Sequence, residues 1–452
     1  MTDPRNPLER RLTALHRHLL ELRDGEVEDG IPALADADPG LFGLALMTAD
    51  GDACAAGDAD APFTVQSAAK PFVYALAIAD AGREGVLRRV GTEPTGEAFD
   101  AVVLEAGTGR PPNPMVNAGA IMTATLVRGA TADERFDRIR TGLSAFAGRS
   151  LEVDERVRAS ESAASDRNFA LAHLMHGSGV LTVPVDEAVE CYVRTGSLLV
   201  TARDLAVMGA TLAAGGRNPL TGERVVAVEL LTTVLSVMAS CGLYDGAGTW
   251  THRVGLPAKS GVAGGLVAVA PGQLGIGVFS PPLDANGNSV RGVRACERLS
   301  EDLGLHQYAS TRSSVPVVQS QAPGLSRSRQ QRPPAEAALL EQHADRIQVW
   351  QLQGPMTVLT AHALSRLLLA YEATTPSWLV LDLHRVGSIA DPALALVHEV
   401  ARALEAAGTT VRLVDRDRPE DIREAVTAYA GPLDEVLAAC EQELLDRLSG
   451  PA

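Results

Sequence analysis

Strand signals occur in two widely separated parts of this chain, and that separation is the strongest constraint on its fold. An apolar run at 41–48, a turn at 49–51 and a second short apolar run predict an early antiparallel hairpin. Residues 254–278 contain three further short apolar runs joined by glycine-rich turns. Between the two groups, from about 83 to 250, the periodicity is mainly helical. We therefore predict an α+β domain with one antiparallel sheet, a large helical insert and a closing helix near 293–303.

A second domain follows a stretch of different composition. Residues 309–340 are rich in Ser, Gln, Arg and Pro, and they predict a flexible linker between a first domain at 1–308 and a second at 341–452. Strand and helix patterns alternate beyond this linker, which is typical of a small α/β domain. Strands are expected at 347–352, 378–383 and 410–414, and helices at 357–372 and 391–407, with two more up to about 448.

Charge and cysteine content exclude several classes of partner. A net charge of −16 argues against nucleic acid and anionic membranes as partners. No apolar run reaches the roughly 18 residues of a membrane span, and no apolar segment typical of a signal peptide follows the first residues. The five scattered cysteines never form Cys-x-x-Cys, so we expect buried thiols in a reducing cytoplasm and no zinc site.

Both lysines of the chain lie in motifs that can carry chemistry. The other 38 of the 40 basic residues are arginine, which supplies charge but does not deprotonate to act as a base. Lys70 follows Ser67 by three residues, so a helix that begins here brings both side chains to one face. By itself, Ser-x-x-Lys is more often a helix start with a surface lysine. Together with Lys259-Ser260 it indicates a catalytic serine whose base is Lys70.

Polar residues within the helical insert have both structural and functional interpretations. The 113–120 stretch places an asparagine at an expected helix start, where capping is the simpler role. Glu161 and Asn168 lie one or two helical turns apart, either on an exposed helix face or in a site. Tyr192 and Tyr244 stand beside apolar residues, as core tyrosines usually do.

Two histidines share a helical face but lack the partners of a metal site. His173 and His176 are three residues apart, with no cysteine or carboxylate motif beside them. We expect them to pack in the helix, and we predict neither a metal nor an organic cofactor.

Several different motifs follow one another along the first domain. They are Gln66-Ser67-x-x-Lys70, Gly96-Glu97-Ala98-Phe99, residues 113–121, Ser160-Glu161, Arg167-Asn168, Gly242-Leu243-Tyr244-Asp245 and Pro257-Ala258-Lys259-Ser260-Gly261-Val262. In these motifs and their order, residues 25–305 resemble the serine-dependent glutaminases, a family with the penicillin-recognising fold of β-lactamases and transpeptidases.

That resemblance implies a role for each matching residue. Ser67 would attack the side-chain amide of L-glutamine, Lys70 would take its proton, and Tyr244 would protonate the departing ammonia. The amides of Ser67 and Val262 would form the oxyanion hole. Substrate binding would involve Gln66, Ser67, Asn117, Glu161, Asn168, Tyr192, Tyr244 and Val262, with Lys259 and Ser260 in support. The chemistry of these residues agrees with the implied roles. The ammonium group of the substrate needs an anion, and its carboxylate needs amide or hydroxyl donors.

The resemblance implies hydrolysis of L-glutamine to L-glutamate and ammonia through a glutamyl-serine ester, in a homo-oligomer that needs no cofactor. Residues 27–35 resemble the family's early stretch, except that Gly30 replaces a tyrosine that usually reaches the substrate pocket. Two other functions stay open. One is an amidase of the same fold with a different substrate, and the other is a weakly active or silent glutamine-binding sensor that signals through the second domain.

The second domain resembles a STAS domain, the fold of anti-sigma-factor antagonists. The likeness rests on the strand at 378–383 and on Ser388-Ile389-Ala390-Asp391. In the antagonists a phosphorylatable serine or threonine follows the aspartate, whereas Pro392 excludes phosphorylation at that position here. The resemblance implies a regulatory or assembly role with an unidentified protein partner.

Overall fold

The computed structural model describes most of the chain. The described residues are 7–96, 101–303, 305–308, 319–320, 327–354, 356, 364, 368, 378–386, 389, 391–414 and 432–449. The chain divides into two units, Met1–Ala309 and Ser310–Ala452. Each unit has buried apolar clusters of its own, so each has a core.

The first unit consists of a sheet and a large set of helices. Its strands are β1 (Gly43–Thr48), β2 (Ala53–Gly57), β3 (Phe63–Thr64), β4 (Leu199–Val200), β5 (Ala258–Ser260), β6 (Gly265–Ala270) and β7 (Leu274–Phe279). Its helices are α1 (Pro7–Leu19), α2 (Lys70–Ala81), α3 (Arg83–Leu87), α4 (Asn117–Thr125), α5 (Ala132–Ala147), α6 (Glu155–Ala163), α7 (Asp166–Gly177), α8 (Val185–Gly196), α9 (Ala202–Ala213), α10 (Val228–Cys241), α11 (Ala247–Arg253) and α12 (Val290–Leu303).

One antiparallel sheet joins the two groups of strands. Its order is β2-β1-β7-β6-β5, and the early strand β1 pairs with the late strand β7 through Leu44 opposite Val278. The remaining pairs are also antiparallel. This is the single sheet that the separated strand signals predict, and it places Lys259 on the edge strand β5.

The sheet separates two apolar cores, because its strands are buried on both faces. Leu44, Leu46 and Leu266 belong to the core that includes residues of α1 and α12, whereas Met47 and Val267 belong to the core of the helical insert. Helix α9 lies directly on the insert side of β7. A β-carbon at Gly275 would come within 2.2 Å of the Ala210 amide nitrogen, so glycine permits this close packing.

Helix α2 is buried along most of its length in the insert. The ring of Phe72 packs against Phe146 of α5 at 5.1 Å, and residues 70–78 are all buried. Pro71 lies in the first turn, where its missing N–H has no helical partner. The helix therefore holds its N-terminal end, where Lys70 lies, in a fixed position within the core.

The second unit is a four-stranded sheet with helices. Its strands are β8 (Gln319–Ser320), β9 (Ile347–Gln353), β10 (Trp378–Arg385) and β11 (Thr410–Val414), and its helices are α13 (Pro334–Gln342), α14 (Asp391–Ala406) and α15 (Leu433–Ser449). The order is β11-β10-β9-β8, with β10 parallel to both β9 and β11. The alternating pattern predicted β9, β10, β11 and α14 within two residues of their ends.

Three sequence predictions in this unit concern residues that lie wholly or mostly outside those described. The expected helix at 357–372 is described only at Leu364 and Leu368, which are helical and buried. The first of the two final helices and Ser388 also lie outside the described residues.

Part of the predicted linker is ordered structure. Residues 334–342 form α13, which begins with proline in its first turn and buries Leu340. Ser328 and Arg332 bond to the carboxylate of Glu441 on α15. The polar composition concealed these contacts, because long-range ion pairs leave no periodic signal in the sequence.

No single helix among the described residues is both long and apolar enough to cross a membrane. Helix α10 and residues Tyr244–Arg253 pass such a test only as a joined pair, which is bent by 94°.

Candidate active site

Ser67 lies in a tight 3-10 turn, Gln66–Ala69, that leads directly into α2. The turn is buried, and Gln66 has a left-handed backbone with a φ of 46°. Tyr244, with a φ of 57°, is the other non-glycine residue with positive φ in the part of the chain described. Such backbone strain is concentrated at functional sites in proteins. Here both strained residues belong to one cluster of side chains.

Lys70 is enclosed by hydrogen-bond acceptors at the start of α2. Its Nζ donates to the carbonyl oxygen of Met115 at 3.1 Å and to Asn117 Oδ1 at 2.8 Å. Burial lowers the pKa of Lys70 to about 7, although the nearby charge of Glu161 acts in the opposite direction. A substantial fraction of this lysine is therefore neutral at neutral pH, which is the state that a base requires.

Tyr244 lies between the serine and the second lysine. Its side chain interacts with that of Ser67, and its hydroxyl oxygen accepts from Lys259 Nζ at 2.6 Å. Burial raises the pKa of Tyr244 and holds that of Lys259 well below its usual range. The charge of Lys70 lowers the Lys259 pKa further. Tyr244 is therefore placed to exchange a proton with Lys259 beside Ser67.

Three helices contribute a chain of amide and hydroxyl groups beside the serine. Tyr192 on α8 interacts with Ser67, and its hydroxyl donates to Asn117 Oδ1 at 3.2 Å. Asn117 Nδ2 donates to Asn168 Oδ1 at 3.2 Å, which extends the chain from α4 to α7. Burial raises the pKa of Tyr192 strongly, and nearby Glu161 raises it further. The tyrosine therefore keeps its proton and acts as a donor.

Glu161 supplies a buried carboxylate at the C-terminal part of α6. Its Oε2 accepts from Gln66 Nε2 at 3.0 Å. Burial raises the Glu161 pKa to about 7, while the Gln66 hydrogen bond and the charge of Lys70 act in the opposite direction. Gly196 of α8 packs beside both side chains, because a β-carbon there would lie 3.6 Å from the carboxylate, at ordinary van der Waals distance.

The turn after β5 packs directly against the serine turn. A β-carbon at Gly261 would lie 2.9 Å from the Val65 carbonyl oxygen and 3.2 Å from the Ala68 amide nitrogen. Within the described ranges, neither the Ser67 amide nor the Val262 amide donates to another backbone group. The turn therefore brings Val262 close to Ser67 and leaves two amides for an anionic oxygen.

Residues 25–308 match the family model described as glutaminase, and this match covers more than half of the chain. The chain belongs to the glutaminase family. A glutaminase of Clavibacter michiganensis subsp. michiganensis is 60% identical over 287 residues, which are 64% of this chain and 88% of that protein. Glutaminase 2 of Bradyrhizobium diazoefficiens is 42% identical over 458 residues, which are 99% of this chain and 73% of that protein. A solved structure of Mglu in its glutamate form has a TM-score of 0.72 and 40% identity, and covers 90% of this chain and 98% of that chain.

In this glutaminase chain the contacts join nearly all of the site residues expected from the sequence. Hydrogen bonds link Gln66 with Glu161, Lys70 with Asn117, Asn117 with Asn168, and Lys259 with Tyr244. Ser67 interacts with the side chains of Tyr192 and Tyr244. Ser260 differs from them. Its Oγ donates to Asn288 Oδ1 at 2.6 Å, and its carbonyl oxygen accepts from Lys259, so its contacts support the β5 strand and the lysine.

Two expectations about the insert of this glutaminase are wrong. Helix α4 begins at Asn117, and its cap residue is Val116, so no asparagine side chain caps it. Instead, Asn113 Oδ1 accepts from the amides of Met115 and Val116 and holds the preceding turn. The general capping preference gave the wrong role because it does not anticipate a turn that itself needs an acceptor.

The second wrong expectation concerns the packing of the two histidines of α7. His173 and His176 are exposed and not packed. The described residues contain no cluster of three or more metal-ligating side chains.

Sequence reasoning missed the supporting acceptors of the site. The Met115 carbonyl oxygen accepts from Lys70, and Asn288 accepts from Ser260. A backbone carbonyl carries no residue-specific signal, and Asn288 lies in a polar turn that resembles any surface loop. Residues 97–99 of the Gly96-Glu97-Ala98-Phe99 motif lie outside the described residues.

Proposed function

We propose that this chain hydrolyses L-glutamine to L-glutamate and ammonia through a glutamyl ester on Ser67. As a member of the glutaminase family, it is a hydrolase that acts on glutamine. The observation that carries the serine mechanism is the buried hydrogen bond between Lys259 and Tyr244. It lies in the same buried cluster as Ser67 and a partly neutral Lys70.

Acylation begins when Ser67 Oγ attacks the carbon of the side-chain amide. Lys70 takes the hydroxyl proton, and the oxygen of the tetrahedral intermediate accepts from the amides of Ser67 and Val262. Tyr244 then donates its proton to the amide nitrogen, the C–N bond breaks, and ammonia leaves. Lys259 stabilises the tyrosinate that remains, because it already donates to that oxygen at 2.6 Å.

Deacylation uses the same two groups in the reverse sense. A water molecule loses a proton to the Tyr244 tyrosinate and attacks the ester carbon. The intermediate collapses, Lys70 returns its proton to Ser67, and L-glutamate leaves. A two-step route of this kind replaces one difficult attack of water on an amide with two easier steps.

Binding of the amino-acid end depends on the remaining side chains. Glu161 accepts from the α-ammonium group, and Gln66 orients that carboxylate through its 3.0 Å hydrogen bond. The α-carboxylate receives donors from Tyr192, Asn117 and Asn168. Support for this division comes from the hydrogen bonds that join the three donors in one chain, of which Asn117 is buried and the other two are half-buried.

For the second unit we propose a STAS-like fold with a regulatory or assembly role. Its support is the central parallel strand β10 between β9 and β11, followed by α14. Within this proposal, the full-length protein is a homo-oligomer with a protein partner of unidentified nature. We also propose a cytoplasmic location, which the five buried cysteines, none of them in a disulfide among the described residues, favour.

Ammonia release from L-glutamine by the purified protein tests the main proposal. The Ser67→Ala variant should lose at least 1,000-fold in kcat, roughly the size of losses at catalytic nucleophiles. Ser240→Ala is the matched control, because this serine is exposed and its hydroxyl contacts Ser236 and Cys241 of its own helix α10. Asparagine and a chromogenic β-lactam test the alternative substrates. A wild-type protein that binds glutamine without releasing ammonia would overturn the hydrolase and leave the sensor function.

A further inference from the structure

Both hydrogen-bond acceptors of Lys70 belong to one buried turn, residues 113–117. The Met115 carbonyl oxygen accepts from Lys70 Nζ at 3.1 Å, and Asn117 Oδ1 accepts from it at 2.8 Å. A neutral amine has two N–H groups and one lone pair. Since the turn supplies an acceptor for each N–H group, the lone pair stays available to take a proton. The position of this turn therefore decides how Lys70 is oriented as a base.

Asn113 holds this turn from inside. It is 1% exposed, and its Oδ1 accepts from the amides of Met115 and Val116 at 3.0 and 3.2 Å. Its Nδ2 donates to the carbonyl oxygen of Glu93 at 2.8 Å. The backbone is confined as well, because a β-carbon at Gly119 of α4 would lie 1.8 Å from the Asn113 carbonyl oxygen. The amide of Met115 is thus bound by Asn113, while the carbonyl group of the same residue binds the lysine.

The two acceptors of Lys70 differ in what holds them. The side chain of Asn117 is also bound to the Tyr192 hydroxyl and to Asn168 Oδ1, so two further helices keep it in place. The Met115 carbonyl group depends on Asn113, which binds the amide of that residue. Loss of Asn113 should therefore displace the Met115 acceptor more than the side chain of Asn117.

We propose that Asn113 is a positioning residue for the base, because it fixes the turn whose two acceptors orient Lys70 for proton transfer from Ser67. The proposal rests on the function proposed above and adds to it the group that holds the base in place. Without Asn113, the Met115 carbonyl group turns away and one N–H group of Lys70 loses its acceptor. The lone pair then has no fixed direction, and proton transfer from Ser67 becomes slower.

A second turn of the same kind supplies a matched control. Asn218, like Asn113, is buried, precedes a proline and accepts from the amides two and three residues ahead, at 2.9 and 3.1 Å. Its Nδ2 donates to the carbonyl oxygens of Ala145 and Phe146 on α5. These partners include no residue of the candidate site. Both asparagines thus hold a turn in the same way, but only the turn of Asn113 binds Lys70.

Kinetic measurements on two alanine variants separate positioning from folding. Asn113→Ala and Asn218→Ala should lower the thermal unfolding midpoint by similar amounts, because both leave buried amides without an acceptor. Only Asn113→Ala should lower kcat for glutamine, by roughly 100-fold, the scale expected for a misplaced reacting group, with KM within about threefold. If folded Asn113→Ala keeps the kcat of Asn218→Ala, Asn113 only holds the loop and the proposal is overturned.

An aspartate at position 113 keeps the acceptor and adds a charge. In Asn113→Asp the carboxylate still accepts from both amides, and these two donors and the nearby lysine favour its ionised form. Because Met115 alone bridges this carboxylate and Lys70, we expect the lysine pKa to rise by about one pH unit. Lys70 is a base only when neutral, so the acidic limb of kcat/KM should move to higher pH. Asn218→Asp should leave that limb in place.

The surroundings of Lys70 are otherwise the same in these variants. The other titratable groups that interact with it are Glu161, Lys259 and the rings of Tyr192 and Tyr244, both 5.9 Å from Nζ. The substitutions at 113 and 218 change none of these groups. A shift that occurs in Asn113→Asp and not in Asn218→Asp is therefore due to the new charge in the turn.

Nuclear magnetic resonance gives a readout that does not need turnover. The chain contains two lysines, so the full-length protein isotopically labelled at lysine Cε has two signals, and Lys259→Arg assigns them. The Lys70 signal should titrate near pH 7 in wild type and about one pH unit higher in Asn113→Asp. An unchanged midpoint overturns the role of Asn113 while the glutaminase function stands. A wild-type protein that releases no ammonia refutes the proposed function, and the two midpoints still test Asn113.

Discussion

The side-chain nitrogen of Lys259 lies 2.6 Å from the hydroxyl oxygen of Tyr244 and 4.0 Å from the centroid of its ring. Lys259 is fully buried, and its pKa is well below the usual range. Its charge is therefore unfavourable until an anion forms beside it. A tyrosinate at Tyr244 is such an anion, so the two residues are suited to share one proton during the departure of ammonia.

This pairing predicts that the second lysine needs to lose and regain a proton. Lys259→Arg keeps a cation but prevents deprotonation, and we expect kcat to fall roughly 100-fold or more with KM changed only a few-fold. Tyr244→Phe should have a similar effect, and the double variant should be no worse than either single one. Tyr308→Phe is the control, because Tyr308 is 72% exposed. Wild-type kcat in Lys259→Arg would rule out the shared proton.

The pH profile of activity follows from two groups with pKa values near 7. Lys70 is a base only when neutral, so its contribution is lost as the pH falls through about 7. Glu161 binds an ammonium only when ionised, and its pKa is also raised to about 7. Protonation of either group therefore lowers the activity as the pH falls.

We therefore expect kcat/KM for glutamine to reach a plateau above about pH 8 and to fall steeply below pH 7, with a logarithmic slope greater than one. Steady-state ammonia release across the pH range measures this limb. Lys70→Arg should abolish activity at every pH. A flat profile between pH 5 and 9 would contradict both assignments.

The sequence predicted the sheet and most of the side chains that lie together at the candidate site, and the reasons are local. Alternating apolar runs identified β1 and β5–β7, and two lysines among 40 basic residues identified Lys70 and Lys259. The predictions that an asparagine caps a helix and that His173 is packed were wrong, because each depends on long-range contacts that the local pattern does not contain. The acceptor at Met115 is a backbone carbonyl, so no residue type could have indicated it.

Contacts between the end of the predicted linker and α15 should stabilise the second unit. Glu441 is buried on α15, where it accepts from Ser328 and from the buried guanidinium of Arg332. Glu441→Ala leaves that guanidinium without its main partner, and we expect a loss of about 3 kcal/mol in the free energy of unfolding. Hydrogen exchange in α13 and α15 of the full chain should become faster. Glu435→Ala, an exposed position on the same helix, should change little, and equal exchange in both variants would show that residues 327–333 are not held by this contact.

Arg291 ties the N-terminal segment to α12 from a buried position. Its guanidinium donates to the carbonyl oxygens of Leu22 and Pro39 and to Ser280 Oγ. Arg291→Met keeps much of the side-chain volume but leaves these acceptors without a donor, each at a typical loss of about 1 kcal/mol or more. We expect a total loss of about 3 kcal/mol, seen as a lower denaturant midpoint for the first unit.

Arg298→Met is the matched control, because that arginine is exposed on the same helix and pairs with Glu301. Its effect should stay within about 0.5 kcal/mol. The folded Arg291→Met protein should retain the wild-type KM and kcat, because the hydrogen bonds of Arg291 within the described chain go to Leu22, Pro39, Leu41 and Ser280 and not to the site. A midpoint equal to that of Arg298→Met would mean that water replaces the guanidinium without loss. In that case the N-terminal segment would be held by its other contacts, which include the buried Leu12 and Leu19 of α1 and the hydrogen bond between His16 and the Phe42 carbonyl oxygen.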